Sequence, residues 1–175
     1  MPETVKFRVE SKKQSARALE LFDQERQEIL SLLPNADVQH VGSTAVPGSL
    51  TKGDLDIQVR VSAEDFRDAE RVLSKAYERN KGSTRTDCFA AFKDDLTVPP
   101  LGVQLTAEGS AVDSFWKFRE LLCTRQDLRD AYDALKRRFD GGDMDAYRAE
   151  KDRFFEALRA DPAFVALEGK APRRM

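Results

Sequence analysis

Cysteine is nearly absent: Cys88 and Cys123 are the only two in 175 residues, far apart and in no metal-like spacing. A disulfide framework has no basis in such a chain. Histidine is scarcer still, with His40 alone, so no second imidazole exists to make a nucleophile of any serine. A lone imidazole is also a weak signal for a metal site. Long apolar runs are missing, which leaves no segment able to span a bilayer. No charge of one sign dominates: 29 Lys and Arg stand against 31 Asp and Glu, a formal net charge of -2. Nothing global therefore calls for nucleic acid as a partner. The opening M-P-E-T-V-K-F-R has no apolar signal core, and a cytoplasmic location is expected.

What is present is a globular composition, 41% hydrophobic and 34% charged. The length suffices for one cored domain, expected over residues 1–168, with 169–175 as a flexible tail. Neither an internal repeat nor a low-complexity linker interrupts it.

Ser11 to Leu33 reads as an amphipathic helix capped by Ser11, with Leu19, Phe22, Ile29, Leu30 and Leu33 on one stripe, and Pro34-Asn35 stops it. Val38–Val41 reads as a short strand. Thr44 to Leu50 leaves room for one helical turn, and Leu55–Val61 alternates as a second strand. Ser62 is the expected cap of a helix running to about Asn80, with Phe66, Ala69, Val72, Leu73 and Ala76 inward. Cys88–Phe92 and Leu101–Thr106 pair as a hairpin, which suits a mixed sheet. From Ala111 the pattern is helical, broken at Gly141-Gly142. The expected architecture is α+β: a mixed β-sheet flanked by helices, with a helical C-terminal third. The mixed-sign run Arg125 to Arg138 reads as a solvent-exposed helix face.

The most informative stretch is His40 to Ile57, H-V-G-S-T-A-V-P-G-S-L-T-K-G-D-L-D-I. A strand ends at Gly42-Ser43, and ten residues later two aspartates alternate. Residues two apart on a strand share a face, so Asp54 and Asp56 project together while Leu55 and Ile57 turn to the core. Two carboxylates beside a turn with free backbone N–H groups can hold Mg²⁺ and a polyphosphate. His40, just before the turn, and Thr44 with Pro47-Gly48 are expected to shape the loop.

The order strand, Gly-Ser, short helix, Asp-x-Asp strand resembles the core of the nucleotidyltransferase superfamily of DNA polymerase β-like folds. H-V-G-S-T-A-V-P-G resembles the signature of the GrpB family, a group of bacterial proteins. Gln104 to Ser110, Phe118-Arg119-Glu120-Leu121-Leu122, Tyr132 with Leu135-Lys136, and Tyr147 with Lys151 resemble further family elements, together covering residues 10 to 160. The resemblance implies that Asp54 and Asp56 bind Mg²⁺ bridging a nucleoside triphosphate, for nucleotidyl transfer to a small-molecule or protein acceptor. Gly42, Ser43 and Thr44 would then form the phosphate turn. Lys52, Arg85, Arg119, Lys136 and Lys151 are its candidate phosphate partners, and Tyr147 its candidate base platform. It also implies an alternative, a non-catalytic nucleotide-binding module linked to coenzyme A or nucleotide metabolism.

One departure from the superfamily pattern bears on catalysis. The strand after the hairpin usually carries a third carboxylate, and here it reads Leu101-Gly102-Val103-Gln104-Leu105-Thr106. Gln104 can orient a group but cannot accept a proton near neutral pH. Glu108, past the strand end, and Asp87, on the neighbouring strand, are the candidate substitutes.

Overall fold

In the computed structural model, residues 3–173 are described. The elements run β1 (Arg8–Val9), α1 (Lys12–Leu32), β2 (Asp37–Val41), a 3-10 turn (Ser43–Ala45), β3 (Leu50–Thr51) and β4 (Leu55–Val61). They continue as α2 (Phe66–Ala76), β5 (Glu78–Arg79), β6 (Phe89–Asp94), β7 (Leu101–Ala107), α3 (Phe115–Thr124), α4 (Gln126–Phe139), α5 (Met144–Leu158) and α6 (Pro162–Val165). The main sheet has the order β2-β4-β7-β6-β5, with β4 and β7 parallel and the other neighbours antiparallel. The expected α+β fold with a mixed sheet is thus present. Among the described residues, no helix is long and apolar enough to cross a membrane.

Strand alternation gives the sheet two unlike faces. Leu55, Ile57, Val59 and Val61 of β4 join Val103 and Leu105 of β7 in the main core, against Phe22 and Ile29 of α1 and Phe66 and Leu73 of α2. The other face carries Asp56, Gln58 and Arg60, covered by the C-terminal helices. Buried polar groups there need partners, and Gln58 and Arg60 have them. The Gln58 amide donates to Thr106 and Asp113 and accepts from the backbone N–H of Trp116, while Arg60 grips Asp113 at 2.7 and 2.9 Å and reaches Asp37 at 2.6 Å.

Ser11 starts α1 with a reciprocal box: its hydroxyl accepts the Gln14 N–H at 3.2 Å and its own N–H donates to the Gln14 side chain at 2.9 Å. Replacing Ser11 with Ala is expected to cost about 1 kcal/mol in urea unfolding, a modest loss confined to one helix end. The second helix departs from expectation. Ser62 accepts the Asp65 N–H in a turn, α2 begins only at Phe66, and it ends at Ala76. Tyr77 is extended and donates its hydroxyl to Glu25 of α1 at 2.6 Å, which turns the chain into β5. Ala76 is exposed rather than inward, and so is Leu19 at 49%. Of the expected tail, 170–173 carry no regular structure, and 174–175 lie outside the described residues.

Candidate functional site

Gly42 follows β2 with φ +74°, a conformation that favours glycine. The register places Val41 opposite Asp56 on β4, and Asp56 opposite Gly102 on β7. Both glycines make room for the carboxylate. A Cβ on Gly42 would lie 2.5 Å from Asp56 Oδ2, and one on Gly102 would lie 2.9 Å from Asp56 Oδ1. Gln104, two residues along on the same face, points its amide nitrogen at Asp56 Oδ1, 3.4 Å away, and its Oε1 is buried without a partner.

Asp56 forms no ion pair among the described residues. Burial, and then repulsion from Asp54, raise its pKa to about 6, against the opposing pull of Lys151 and Lys52. Asp54 pairs with Lys52 at 3.1 Å. The two carboxylates and Ser43 line one hollow of about 500 Å³ between the polar sheet face and the C-terminal helices, a size suited to a small organic ligand. Lys151 also faces it from α5, its ammonium disfavoured by burial.

The other predicted residues have different places. His40 sits on the core side of the sheet, stacked on Phe22, and its Nε2 meets Thr44 Oγ1 at 2.9 Å. Lys136 does not face solvent as the mixed-sign run implied. It is 0% exposed and donates to Ser43, Ser49, Leu50 and Asp133. These contacts tie α4 to the loop at 43–50, and Lys136 does not line the hollow. Arg119 borders the hollow, yet its guanidinium is committed to Gln39, the His40 carbonyl and Glu120. Arg85 is not part of the hollow. It forms a two-pronged pair with Glu70 of α2, at 2.8 and 2.7 Å. Tyr147 lines the hollow but is 4% exposed, its hydroxyl against that of Tyr132 at 3.1 Å and its ring covered by Phe7.

Neither substitute acid reaches the pair. Glu108 lies six residues beyond Gly102, about 20 Å along the strand direction, and sits 3.8 Å from Arg60. Asp87 is exposed beside Arg67 and Arg85. New to the site are Arg148, Asp152, Phe155 and Glu156, which with Lys151 form one face of α5, and Arg159, which caps that helix. Their spacing of i, i+3, i+4, i+7, i+8, i+11 is a helical stripe visible in the sequence, but a charged one, easily taken for a solvated surface.

Comparison with known proteins then places the chain. The profile of the GrpB protein family matches residues 9–161. The chain belongs to the GrpB family. A UPF0157 protein of Vibrio cholerae is 30% identical over 131 residues, 75% of this chain and 70% of that one. The crystal structure of GrpB from Enterococcus faecalis superposes with a TM-score of 0.57 at 19% identity, covering 85% of this chain and 91% of the other. The Cid1 poly(U) polymerase with MgGTP bound superposes with a TM-score of 0.50 at 15% identity, over 71% of this chain and 41% of the polymerase. This GrpB protein therefore has a nucleotidyltransferase-like fold.

The residues present fit one magnesium ion held jointly with a ligand. Magnesium is commonly bound by one or two carboxylates together with substrate phosphates. The charge on Asp54 adds to the cost of ionising Asp56, which a cation bound by both would relieve. They do not fit an all-protein cage: among the described residues, no group of three or more His, Cys, Asp or Glu side chains is placed to hold a metal.

Proposed function

We propose that this GrpB protein binds a nucleoside triphosphate with Mg²⁺ in the hollow and transfers its nucleotidyl group to an acceptor. The observation that carries this reading is the Asp56 carboxylate, in no ion pair among the described residues, seated between Gly42 and Gly102 and sharing one hollow with Asp54 and Ser43. Asp54 and Asp56 would hold the ion, and bound there it would neutralise charge on the phosphates. Lys136 donates to Ser43 Oγ at 2.9 Å, which leaves the serine O–H as the donor that the turn can offer a phosphate oxygen. Lys52 and Lys151 would balance the remaining negative charge.

A second reading, a nucleotide-binding module without transfer, draws on Gln104. Its amide lies 3.4 Å from Asp56 on the strand where the superfamily resemblance implies a third carboxylate, and an amide cannot take a proton from an attacking hydroxyl. Thermal melts test the shared part of both readings. At ten to a hundred times Kd, a nucleotide with Mg²⁺ is expected to stabilise the protein by about 1.4 to 2.7 kcal/mol, and without Mg²⁺ by much less. No stabilisation by any of the four nucleoside triphosphates overturns both. Pyrophosphate release in the presence of candidate acceptors separates transfer from binding alone.

A further inference from the structure

The segment that precedes the family-matched range is built into the hollow. Val5 donates its N–H to the Gly142 carbonyl at 3.1 Å and accepts the Gly141 N–H at 2.7 Å. The Phe7 N–H donates to Asp140 Oδ1 at 2.8 Å, and the Met144 N–H donates to the Glu3 carbonyl at 2.9 Å. On the far side, β1 pairs with β3, Arg8 opposite Thr51 and Val9 opposite Leu50. The strap thus runs from the α4–α5 turn to the loop that leads into Asp54. There the Arg8 guanidinium lies over Gly53, where a Cβ would meet it at 2.5 Å.

Between these anchors Phe7 turns its ring into the hollow. It covers Tyr147, with ring centroids 4.9 Å apart and planes at 65°. Tyr147 is therefore a buried support rather than a free surface. Phe118 and Phe155, which also line the hollow, pack on each other with ring centroids 4.7 Å apart. Phe7 packs on the Val5, Met144 and Tyr147 cluster with one side, and half-buried, it lines the hollow with another.

We infer that Phe7 is a specificity-determining residue, the apolar face on which the flat ring of a nucleobase rests while the phosphates lie toward Ser43 and Asp56. This rests on the nucleotide-binding reading and adds to it the ring-bearing end of the ligand. Stacking on an aromatic side chain tolerates every base, because each has a π-face. The strap would then favour a base-bearing ligand over a bare polyphosphate without choosing strongly among the four bases.

Calorimetric titration of the full chain with ATP, GTP, CTP, UTP and inorganic tripolyphosphate, all with Mg²⁺, tests this. The wild type is expected to bind each nucleotide more tightly than tripolyphosphate. Phe7→Ala should weaken every nucleotide by about tenfold and change tripolyphosphate by less than about twofold, and Phe7→Trp should restore the nucleotides. Equal losses for nucleotide and tripolyphosphate in Phe7→Ala, or no loss for either, overturn the role of Phe7. Should Phe7→Ala misfold, Phe7→Leu keeps the apolar bulk without a π-face: nucleotide affinity lowered toward the tripolyphosphate level, with tripolyphosphate unchanged, supports the role, and full nucleotide affinity rejects it. A wild type that binds tripolyphosphate as tightly as nucleotides rejects Phe7 but keeps the phosphate site. One that binds neither rejects the nucleotide reading, and this inference with it.

Discussion

Asp56→Asn is expected to melt higher than the wild type at pH 7 in metal-free buffer, and to lose the Mg²⁺-dependent part of nucleotide stabilisation. The two effects have opposite signs because one carboxylate causes both. Burial and the Asp54 charge raise the Asp56 pKa from 3.8 to about 6. A carboxyl group held above its unfolded value favours folding only when protonated. Its cost is absent below about pH 4, grows between pH 4 and 6, and is fully present at pH 7. That cost is on the order of 1–3 kcal/mol, at 1.36 kcal/mol per unit. The amide fits the same space between Gly42 and Gly102 and keeps an oxygen for Gln104, without the charge. Subtracting the pH–stability curve of the variant from that of the wild type cancels the carboxylates they share. The difference should open between pH 4 and 6. A variant that melts lower at pH 7 contradicts the burial argument, and one that keeps the full Mg²⁺-dependent shift removes Asp56 from metal binding.

The parts of this site legible in the sequence obey short-range rules. Asp54 and Asp56 declare a shared face through period two, Gly42 and Ser43 declare a turn, and the apolar alternation of Leu55, Ile57, Val59 and Val61 declares which face of β4 is core. The missing third acid is equally visible, since Gln104 sits two residues from Gly102 and its face follows from the same alternation. What was not legible depends on contacts across many residues. Arg85 and Lys136 look alike as charges on polar segments. Only the packing of α2 gives Arg85 its partner Glu70, and only the seating of α4 on the loop at 43–50 buries Lys136. Phe7 lies before a two-residue strand, too short to carry a period, and its place comes from pairing with β3 and from the α4–α5 turn. Ser62 illustrates a different limit. A serine can satisfy one N–H in a turn as well as at a helix start, and the position of Tyr77 against α1, set by tertiary structure, shortens the helix from its other end.

Lys136→Met is expected to lower stability by about 3–5 kcal/mol, the range for breaking a buried ion pair by removing one partner. For a chain of this size that corresponds to a fall in Tm on the order of 10 °C. The lysine is the hub of the loop. Its Nζ donates to Ser43 Oγ at 2.9 Å, to Ser49 Oγ at 3.0 Å and to the Leu50 carbonyl, and it lies 3.3 Å from Asp133 Oδ1 and 3.9 Å from the Tyr132 ring centroid. Burial lowers its pKa to about 8, so it remains charged at pH 7. Removing it leaves Asp133 as a buried, uncompensated carboxylate, still accepting from the Ser49 hydroxyl at 2.7 Å and the Leu50 N–H at 3.0 Å. The double variant Lys136→Met, Asp133→Asn separates charge from geometry. The amide that replaces the Asp133 carboxylate keeps an acceptor for Ser49 and Leu50 and carries no charge, so more than half of the lost stability should return. Ser43 would still lack its tether, and nucleotide affinity in the double variant should stay roughly 2- to 10-fold below wild type, the worth of one hydrogen bond. Urea unfolding read beside nucleotide titration checks both halves. A loss below about 1 kcal/mol in the single variant would mean that Asp133 finds another partner, and wild-type affinity in the double variant would mean that Ser43 holds its position without Lys136.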